Sequence, residues 1–277
     1  MKIAFIGGGN MATALIAGLV KNLGAGAQVH VVDPNADARE KLVAQYGAAT
    51  AASIDAAVGA CDVIVLAVKP QQMRDVAAML APQLAQLTQL NNGPLVLSIA
   101  AGIRSVDLSR WLGGYGAIVR TMPNTPALIG MGITGMVATS GVTGAQRAAA
   151  DSVMRAVGET VWLDDEALID PVTAVSGSGP AYVFYFLEAM QAAAVEMGLS
   201  AEQGKALALA TFAGAAELAA QSSESLEVLR QRVTSKGGTT HAAITSMEAA
   251  GVKPAIMAAM QAAAARGREL GEELGAD

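Results

Sequence analysis

The segment VTSKGGTTHA, residues 233–242, gathers glycines and hydroxyl residues within a stretch otherwise rich in Ala, Leu, Met and Glu. Its threonines begin a predicted helix, whose first backbone amides can bind a carboxylate. A hydroxyl at Thr240 remains to contact the rest of a small ligand. The pattern predicts a substrate loop, and the alternative is a linker between two helices. The residues predicted to bind substrate here are Gly237, Gly238, Thr239 and Thr240, with Ser235 and Thr240 in catalytic roles.

A second group of glycines lies in the N-terminal sequence FIGGGNMA, where Gly7, Gly9 and Ala12 fit the pattern G-x-G-x-x-G/A. The first glycine allows a tight turn, the second lets the backbone approach a pyrophosphate, and the small third residue lets the helix pack on the strand. Because the turn follows a predicted strand and opens a helix, it predicts a dinucleotide site; the alternative is a turn without a ligand. The predicted contacts are Ile6, Gly7, Gly9, Asn10 and Met11.

Asp33 ends the second predicted strand, at a position that influences which coenzyme such a site binds. An acid at this position usually binds the ribose 2′-hydroxyl and favours NADH, whereas a 2′-phosphate prefers a nearby arginine. Asn35 and Arg39 are donors that such a phosphate could use, or they are solvated residues. The residues alone leave both coenzymes open.

Three further segments, AVKP, SIAAG and MPNTP, end predicted strands at the edge where an open α/β sheet binds ligands. Small residues there let a cofactor lie against the backbone. Lys69 is either a phosphate or ribose contact or an exposed lysine, and Asn124 either faces the nicotinamide or belongs to a turn. The predicted cofactor contacts are Ala67, Val68, Lys69, Pro70, Ala100, Ala101, Gly102 and Asn124.

A hydride-transfer enzyme that acts on a carbonyl normally needs a proton donor such as His, Lys or Tyr. The chain has only two histidines, and His241 is expected to be structural. A protonated cyclic imine carries its own proton, so hydride can add to carbon while a hydroxyl orients the nitrogen. The segment around Thr240 suits that substrate.

The elements that must position these residues follow two patterns. Residues 1–164 alternate helices with apolar strands that lack polar alternation, which predicts a doubly wound, parallel α/β sheet buried on both faces. Residues 165–277 are predicted to be all-helical, with an apolar surface that a partner chain completes. Capping boxes are predicted at Thr143–Gln146 and Ser200–Gln203. The predicted C-terminal helices cover about 180–197, 200–221, 223–233, 239–250 and 253–274.

Composition excludes several classes of function. The net charge of −6, with 18 Lys and Arg, argues against nucleic acid or an anionic membrane as the main partner. One cysteine, Cys61, and two histidines argue against a metal site and a disulfide framework. No signal peptide is recognised, and the most apolar segment, residues 172–187, is too short and broken to span a membrane. A cytoplasmic protein is expected.

The motifs FIGGGNM, AVKP, SIAAG, MPNTPALIG, VSGSGPAYVF and LRQRVTSKGGTTHAAITSME occur in an order that resembles pyrroline-5-carboxylate reductase. The resemblance extends from end to end. It implies reduction of 1-pyrroline-5-carboxylate to L-proline with NADPH or NADH, the last step of proline biosynthesis. It also implies a Rossmann domain followed by a helical dimerisation domain, in a homodimer or a decamer of five dimers.

Residue roles also follow from this resemblance. The substrate loop carries over onto Ser235 to Thr240, with Thr240 near the imine nitrogen, and Glu166 and Arg232 fall where family members contact substrate or product. Lys236 replaces a proline that is common in the family. We expect NADPH as coenzyme, with Asn35 and Arg39 as phosphate ligands, although Asp33 departs from the NADPH-preferring pattern of some members.

Two other functions are compatible with a dinucleotide-binding sheet. A β-hydroxyacid dehydrogenase or another imine reductase needs a lysine acid on an interdomain helix, and residues 171–200 contain no lysine. A sensor protein that binds the cofactor without turnover would bind it equally well after loss of Thr240.

Overall fold

The computed structural model of the chain describes residues 1–23, 28–90 and 93–276. It divides into two compact units. The α/β unit comprises Met1–Ser178 and Ala262–Asp277, and the helical unit comprises Gly179–Gln261.

The α/β unit contains an eight-stranded sheet with the order β3-β2-β1-β4-β5-β6-β7-β8. Strands β1 to β6 are parallel, as the unbroken apolar strands predict. Strand β7 is antiparallel to β6, and β8 is parallel to β7, so these two strands depart from the expected all-parallel sheet. The short connection at residues 123–131 explains this, because parallel neighbours need a crossover of about a dozen residues or more. The strands are β1 Lys2–Ile6, β2 Gln28–Val32, β3 Ala49–Ala51, β4 Val63–Leu66, β5 Leu95–Ser98, β6 Ile118–Met122, β7 Gly132–Ala138 and β8 Gly158–Trp162.

Helices cover both faces of this sheet. Phe5 of β1 packs with Leu15 and Leu19 on one face, and Ile64 of β4 packs with Leu80 and Leu84 on the other. The doubly wound fold predicted from the apolar strands is confirmed. The helices of the unit are α1 Asn10–Leu23, α2 Ala36–Tyr46, α3 Ala56–Gly59, α4 Met73–Leu90, α5 Ser105–Trp111, α6 Gly144–Arg155 and α7 Ile169–Val172.

The compact units divide the chain differently from the predicted domains at residues 1–164 and 165–277. Val172 of α7 packs on β7 so closely that a Cβ added at Gly135 would lie 2.7 Å from Val172 Cγ1. Leu274 packs against the hydrophobic core beneath α4 and α5. Residues 165–178 and the C-terminal turns therefore belong to the α/β unit because they pack on its sheet.

The helical unit matches the five helices predicted from sequence, with boundaries within a few residues. The capping boxes at Ser200–Gln203 and, in the α/β unit, at Thr143–Gln146 are both present. Gly204 allows α8 and α9 to pack closely, since a Cβ added there would lie 2.9 Å from Ala194 Cβ. The helices are α8 Gly179–Glu196, α9 Ala201–Ala220, α10 Leu226–Arg232, α11 Thr239–Ala249 and α12 Val252–Gly275, the last of which continues into the α/β unit.

The helical unit is described throughout, and it lacks a core of its own. Its only buried apolar residues are Ala194 and Ala208. Large apolar side chains remain exposed instead, including Phe184 at 61%, Tyr185 at 73% and Leu218 at 62%. Across the described ranges, no helix combines the length and apolarity required to cross a bilayer. The exposed apolar surface therefore indicates association with a partner chain.

Candidate functional site

The turn after β1 is held against the end of β4. Gly7 adopts a φ of 102°, and its amide donates to Val32 O at 2.8 Å. A Cβ added at Gly7 would lie 2.7 Å from Ala67 O, so both the φ angle and the close contact require glycine. A Cβ added at Gly9 would meet no atom within 4 Å. Space beside the backbone is therefore available at Gly9, where the sequence predicts a pyrophosphate.

The start of α1 supplies donors to that space. The first bond of the helix runs from Thr13 N to Gly9 O at 2.9 Å. The amides of Asn10 and Met11 precede this bond, so they have no partner within the helix. Ala12, the third residue of the glycine pattern, is only 1% exposed and lets α1 pack on the sheet. This arrangement suits a phosphate group.

A cavity of about 680 Å³ opens beside this turn, at the carboxyl ends of β1, β2 and β4. The reversal of strand order between β1 and β4 makes this the point where a doubly wound sheet binds a dinucleotide. The predicted residues that line it are Ile6, Gly7, Gly9, Asp33, Asn35, Ala67, Val68 and Lys69.

The lining also includes residues that the sequence reasoning missed. Some follow β3, which is too short to give a clear apolar pattern, and others lie on one face of α4 and the turn before it. The only sequence signal for these residues was the spacing of Asp75, Val76 and Met79 after AVKP, which places them on one face of a helix. The additional lining residues are Val32, Pro34, Ala52, Ser53, Ile54, Gln72, Asp75, Val76 and Met79.

Asp33 is fixed at the wall of this cavity by two backbone amides. Its Oδ2 accepts from Gly8 N at 2.7 Å, and its Oδ1 accepts from Asn35 N at 2.8 Å. The carboxylate thereby joins the glycine turn to the start of α2. The Asn35 side chain caps α2 by accepting from Ala38 N at 3.2 Å.

The other predicted cofactor residues lie outside the cavity lining. The Arg39 guanidinium donates to Asp33 O at 2.6 Å. Pro70 begins a short 3₁₀ turn before α4. Ala100 is buried, and Gly102, at a φ of 73°, faces the side chains of Leu270 and Leu274. Ala101, between them, is exposed.

Asn124 was predicted to face the nicotinamide or to belong to a turn, and its amide stabilises the connection between β6 and β7. Its Oδ1 accepts from Ile133 N at 3.0 Å, and its Nδ2 donates to Ser176 O at 3.2 Å. The residue is 8% exposed. These bonds give Asn124 a structural role, and contact with a nicotinamide stays a prediction.

Glu166 joins three parts of the α/β unit. Its Oε1 accepts from Arg120 Nη1 at 2.7 Å and from Ser105 N at 2.7 Å. Arg120, on β6, is 5% exposed, and sequence reasoning missed it. A lone charge within the apolar strand IVRTM was the signal that could have revealed it, because a buried charge requires a partner. Contact of Glu166 with the substrate stays a prediction.

The predicted substrate loop lies in the helical unit. Gly238 caps α11 without a side-chain bond, and the first helical bond runs from Ala242 N to Gly238 O at 3.1 Å. Thr239, Thr240 and Ser235 are exposed, and Gly237 adopts a φ of 77°. The exposed helix start therefore offers unpaired amides and two hydroxyls to a ligand.

Arg232, the remaining predicted substrate contact, lies at the end of α10 and pairs with Glu224 Oε1 at 2.5 Å. Its side chain is 66% exposed. In residues 1–23, 28–90 and 93–276, no group of three or more His, Cys, Asp and Glu side chains is arranged to hold a metal ion.

The first prediction concerns the glycine turn. Gly9→Val should raise the Kd for a nicotinamide dinucleotide at least tenfold, or about 1.4 kcal/mol, because the side chain occupies the space beside the α1 amides. Thermal unfolding should change little, since a Cβ at Gly9 contacts nothing. Fluorescence titration measures the Kd, and Gly144→Val, whose added Cβ is also unobstructed, is the control. Unchanged affinity in folded Gly9→Val would remove the pyrophosphate from this position.

The second prediction concerns Glu166. Glu166→Ala should lower the free energy of unfolding by about 3 kcal/mol, because Arg120 is left buried without its partner. Glu166→Gln should cost only about 1 kcal/mol, since the amide oxygen still accepts from Arg120 and Ser105. Urea denaturation at fixed protein concentration measures both changes, with exposed Glu40→Ala as control. Equal stability of Glu166→Ala and the parent would show that the pair does not contribute.

Comparison with known proteins adds to this geometry. Residues 166–270 match the family model for pyrroline-5-carboxylate reductase dimerisation, and residues 2–102 match that for NADP oxidoreductase, coenzyme F420-dependent. A pyrroline-5-carboxylate reductase from Pseudomonas aeruginosa is 46% identical, over 99% of this chain and 98% of that protein.

Two solved structures extend the likeness. The pyrroline-5-carboxylate reductase of Coxiella burnetii superposes with a TM-score of 0.90 at 38% identity, over 97% of both chains. The Plasmodium falciparum pyrroline carboxylate reductase, solved with NADP bound, gives a TM-score of 0.84 at 28% identity, over 98% of both chains. With its glycine turn, helical unit and full-length similarity, the chain belongs to the pyrroline-5-carboxylate reductase family.

Proposed function

We propose that this protein reduces 1-pyrroline-5-carboxylate to L-proline with NADPH or NADH, the last step of proline biosynthesis. The full-length similarity to reductases of that name, at 46% identity, carries the proposal. Two features of the chain support it independently. One is a cavity at the carboxyl ends of β1, β2 and β4, the edge where a doubly wound sheet binds a dinucleotide, and the other is a glycine- and hydroxyl-rich loop at the start of α11.

The residues of the α/β unit fit a nicotinamide dinucleotide. Gly9 leaves room beside the backbone, and the amides of Asn10 and Met11 bind the pyrophosphate. Ala67 and Val68 let the cofactor lie against the end of β4. When bound, the reduced dinucleotide supplies the hydride. The remaining proposed contacts are Ile6, Gly7, Asp33, Asn35, Arg39, Lys69, Pro70, Ala100, Ala101, Gly102 and Asn124.

The segment from Ser235 to Thr240 binds the substrate. Its carboxylate is held by the open amides at the start of α11, where the partial charge of the helix is positive. The absence of side chains at Gly237 and Gly238 allows close approach. Glu166 and Arg232 are further proposed substrate contacts.

The hydroxyl of Thr240 orients the substrate nitrogen, and Ser235 assists. The imine of 1-pyrroline-5-carboxylate is reactive when its nitrogen is protonated. That N–H donates a hydrogen bond to Thr240 Oγ1, which holds the ring while its carbon accepts the hydride. The imine nitrogen already carries its proton, so no side chain has to deliver one to it during hydride transfer and no histidine is required, which agrees with the two histidines of the chain.

The assembly and location belong to the same proposal. A matched dimerisation segment and a helical unit without its own core support a homodimer, and five dimers would build a decamer. The single cysteine suits a cytoplasmic protein.

Oxidation of NADPH and NADH, measured side by side with 1-pyrroline-5-carboxylate, tests the proposed activity. Absence of substrate-dependent oxidation of both coenzymes would refute it.

The third prediction concerns Thr240. Thr240→Ala should lower kcat/KM by roughly ten- to a thousandfold, because it removes a positioned hydrogen bond that matters in the transition state. Coenzyme Kd should hardly change. Thr240→Ser should retain much of the activity because the hydroxyl survives. Steady-state kinetics and dinucleotide titration separate these effects.

A neighbouring residue provides the control for that experiment. Thr234 precedes the loop, and its hydroxyl bonds Arg230 O at 2.6 Å. Thr234→Ala should lower the free energy of unfolding by about 1 kcal/mol and leave kcat/KM nearly unchanged. Parental kinetics in Thr240→Ala would show that the segment is only a linker.

The fourth prediction concerns assembly. Sedimentation at low micromolar concentration should show a dimer or a larger closed assembly, because a monomer would expose the apolar side chains of the helical unit. Leu218→Asp should shift the population toward smaller species. The matched change Glu217→Asp, on the same helix, should not. A stable parental monomer would contradict the prediction.

A further inference from the structure

We infer that this protein selects NADH over NADPH and that Asp33 determines the preference. The inference rests on the proposed use of a nicotinamide dinucleotide. It differs from the expectation of NADPH that the family resemblance gives, and the surroundings of β2 are the reason.

The Asp33 carboxylate has a fixed position at the cavity wall. Amide donors from Gly8 and Asn35 hold one carboxylate oxygen each, at 2.7 and 2.8 Å. The residue directly follows β2, the position from which an acid binds the adenosine ribose 2′-hydroxyl in a doubly wound fold. A 2′-phosphate would therefore meet a negative charge that is bound in place.

The groups of Asn35 and Arg39 nearest to Asp33 make bonds within the protein. The Asn35 amide bonds Asp33, and the Asn35 side-chain oxygen caps α2. Arg39 donates to the backbone oxygen of Asp33 and is absent from the cavity lining. The first turn of α2 also carries Asp37, which lies outside the cavity lining.

The charges of the cavity lining favour the same coenzyme. Among the described residues that line it, the charged ones are Asp33, Lys69 and Asp75. Lys69 follows β4, which is separated from β2 by β1, so the two strands lie about 10 Å apart. Its charge is therefore displaced from the ribose of the adenosine. Like charges placed together at a binding surface disfavour a ligand strongly.

The fifth prediction follows from this arrangement. Titration of the full-length parent should give a Kd for NADH about tenfold or more below that for NADPH. Asp33→Ser should weaken NADH and strengthen NADPH, changing the ratio of the two Kd values by at least about tenfold. In the parent, the ratio of the Kd for NADPH to the Kd for NADH should also fall toward one as salt is added, because screening reduces the repulsion between charges.

Three further variants make the experiment specific. Asp37→Ser removes a nearby charge outside the lining and should leave the ratio nearly unchanged. Arg39→Ala should change both Kd values equally. If Arg39 bound the 2′-phosphate instead, its loss would weaken the binding of NADPH alone. Asp33→Asn removes the charge with little change in shape, so it replaces Asp33→Ser if that variant unfolds.

The outcomes separate this inference from the proposed function. A parental Kd for NADPH equal to or below that for NADH, or an unchanged ratio in the folded Asp33 variants, overturns the preference alone. Turnover of 1-pyrroline-5-carboxylate with NADPH would then still support the reductase. Failure to bind either coenzyme overturns both.

Discussion

The packing of Gly7 against the Ala67 carbonyl oxygen is the constraint on which the α/β unit depends. Two strand ends meet there with no room for a side chain, and the chain must turn through a positive φ angle. The turn places the start of α1, with its open amide donors, at the carboxyl ends of β1 and β4, while the helix packs on the sheet. The cavity is the space that remains between this turn and the loops after β2 and β4.

Asp33 connects that turn to the next element. Its carboxylate bonds the amides of Gly8 and Asn35, so it joins the glycine turn to the start of α2. A neutral side chain could make part of this connection, but it would not place a fixed charge at the wall of the cavity. The same two hydrogen bonds therefore fix the local structure and hold a negative charge at the cavity wall.

The helical unit is limited by a different constraint, which is the absence of a core. Small residues such as Ala194, Gly204 and Ala208 let α8 and α9 pack closely, but they bury little apolar area. The larger apolar side chains point outward and require a partner to exclude water. This exposed apolar surface is consistent with the match to a dimerisation family.

Sequence alone determined the features that depend on neighbouring residues. The glycine turn, the apolar strands, the five C-terminal helices and both capping boxes follow from spacing within a few positions, where backbone geometry and local hydrogen bonds decide the outcome. Eight of the predicted cofactor residues line one cavity because the carboxyl ends of parallel strands share one edge. Tertiary structure decided the reversed direction of β7 and the partners of Asn124, as well as the ion pair between Arg120 and Glu166. Those features depend on contacts between residues far apart in the chain, and local patterns do not identify which residues meet.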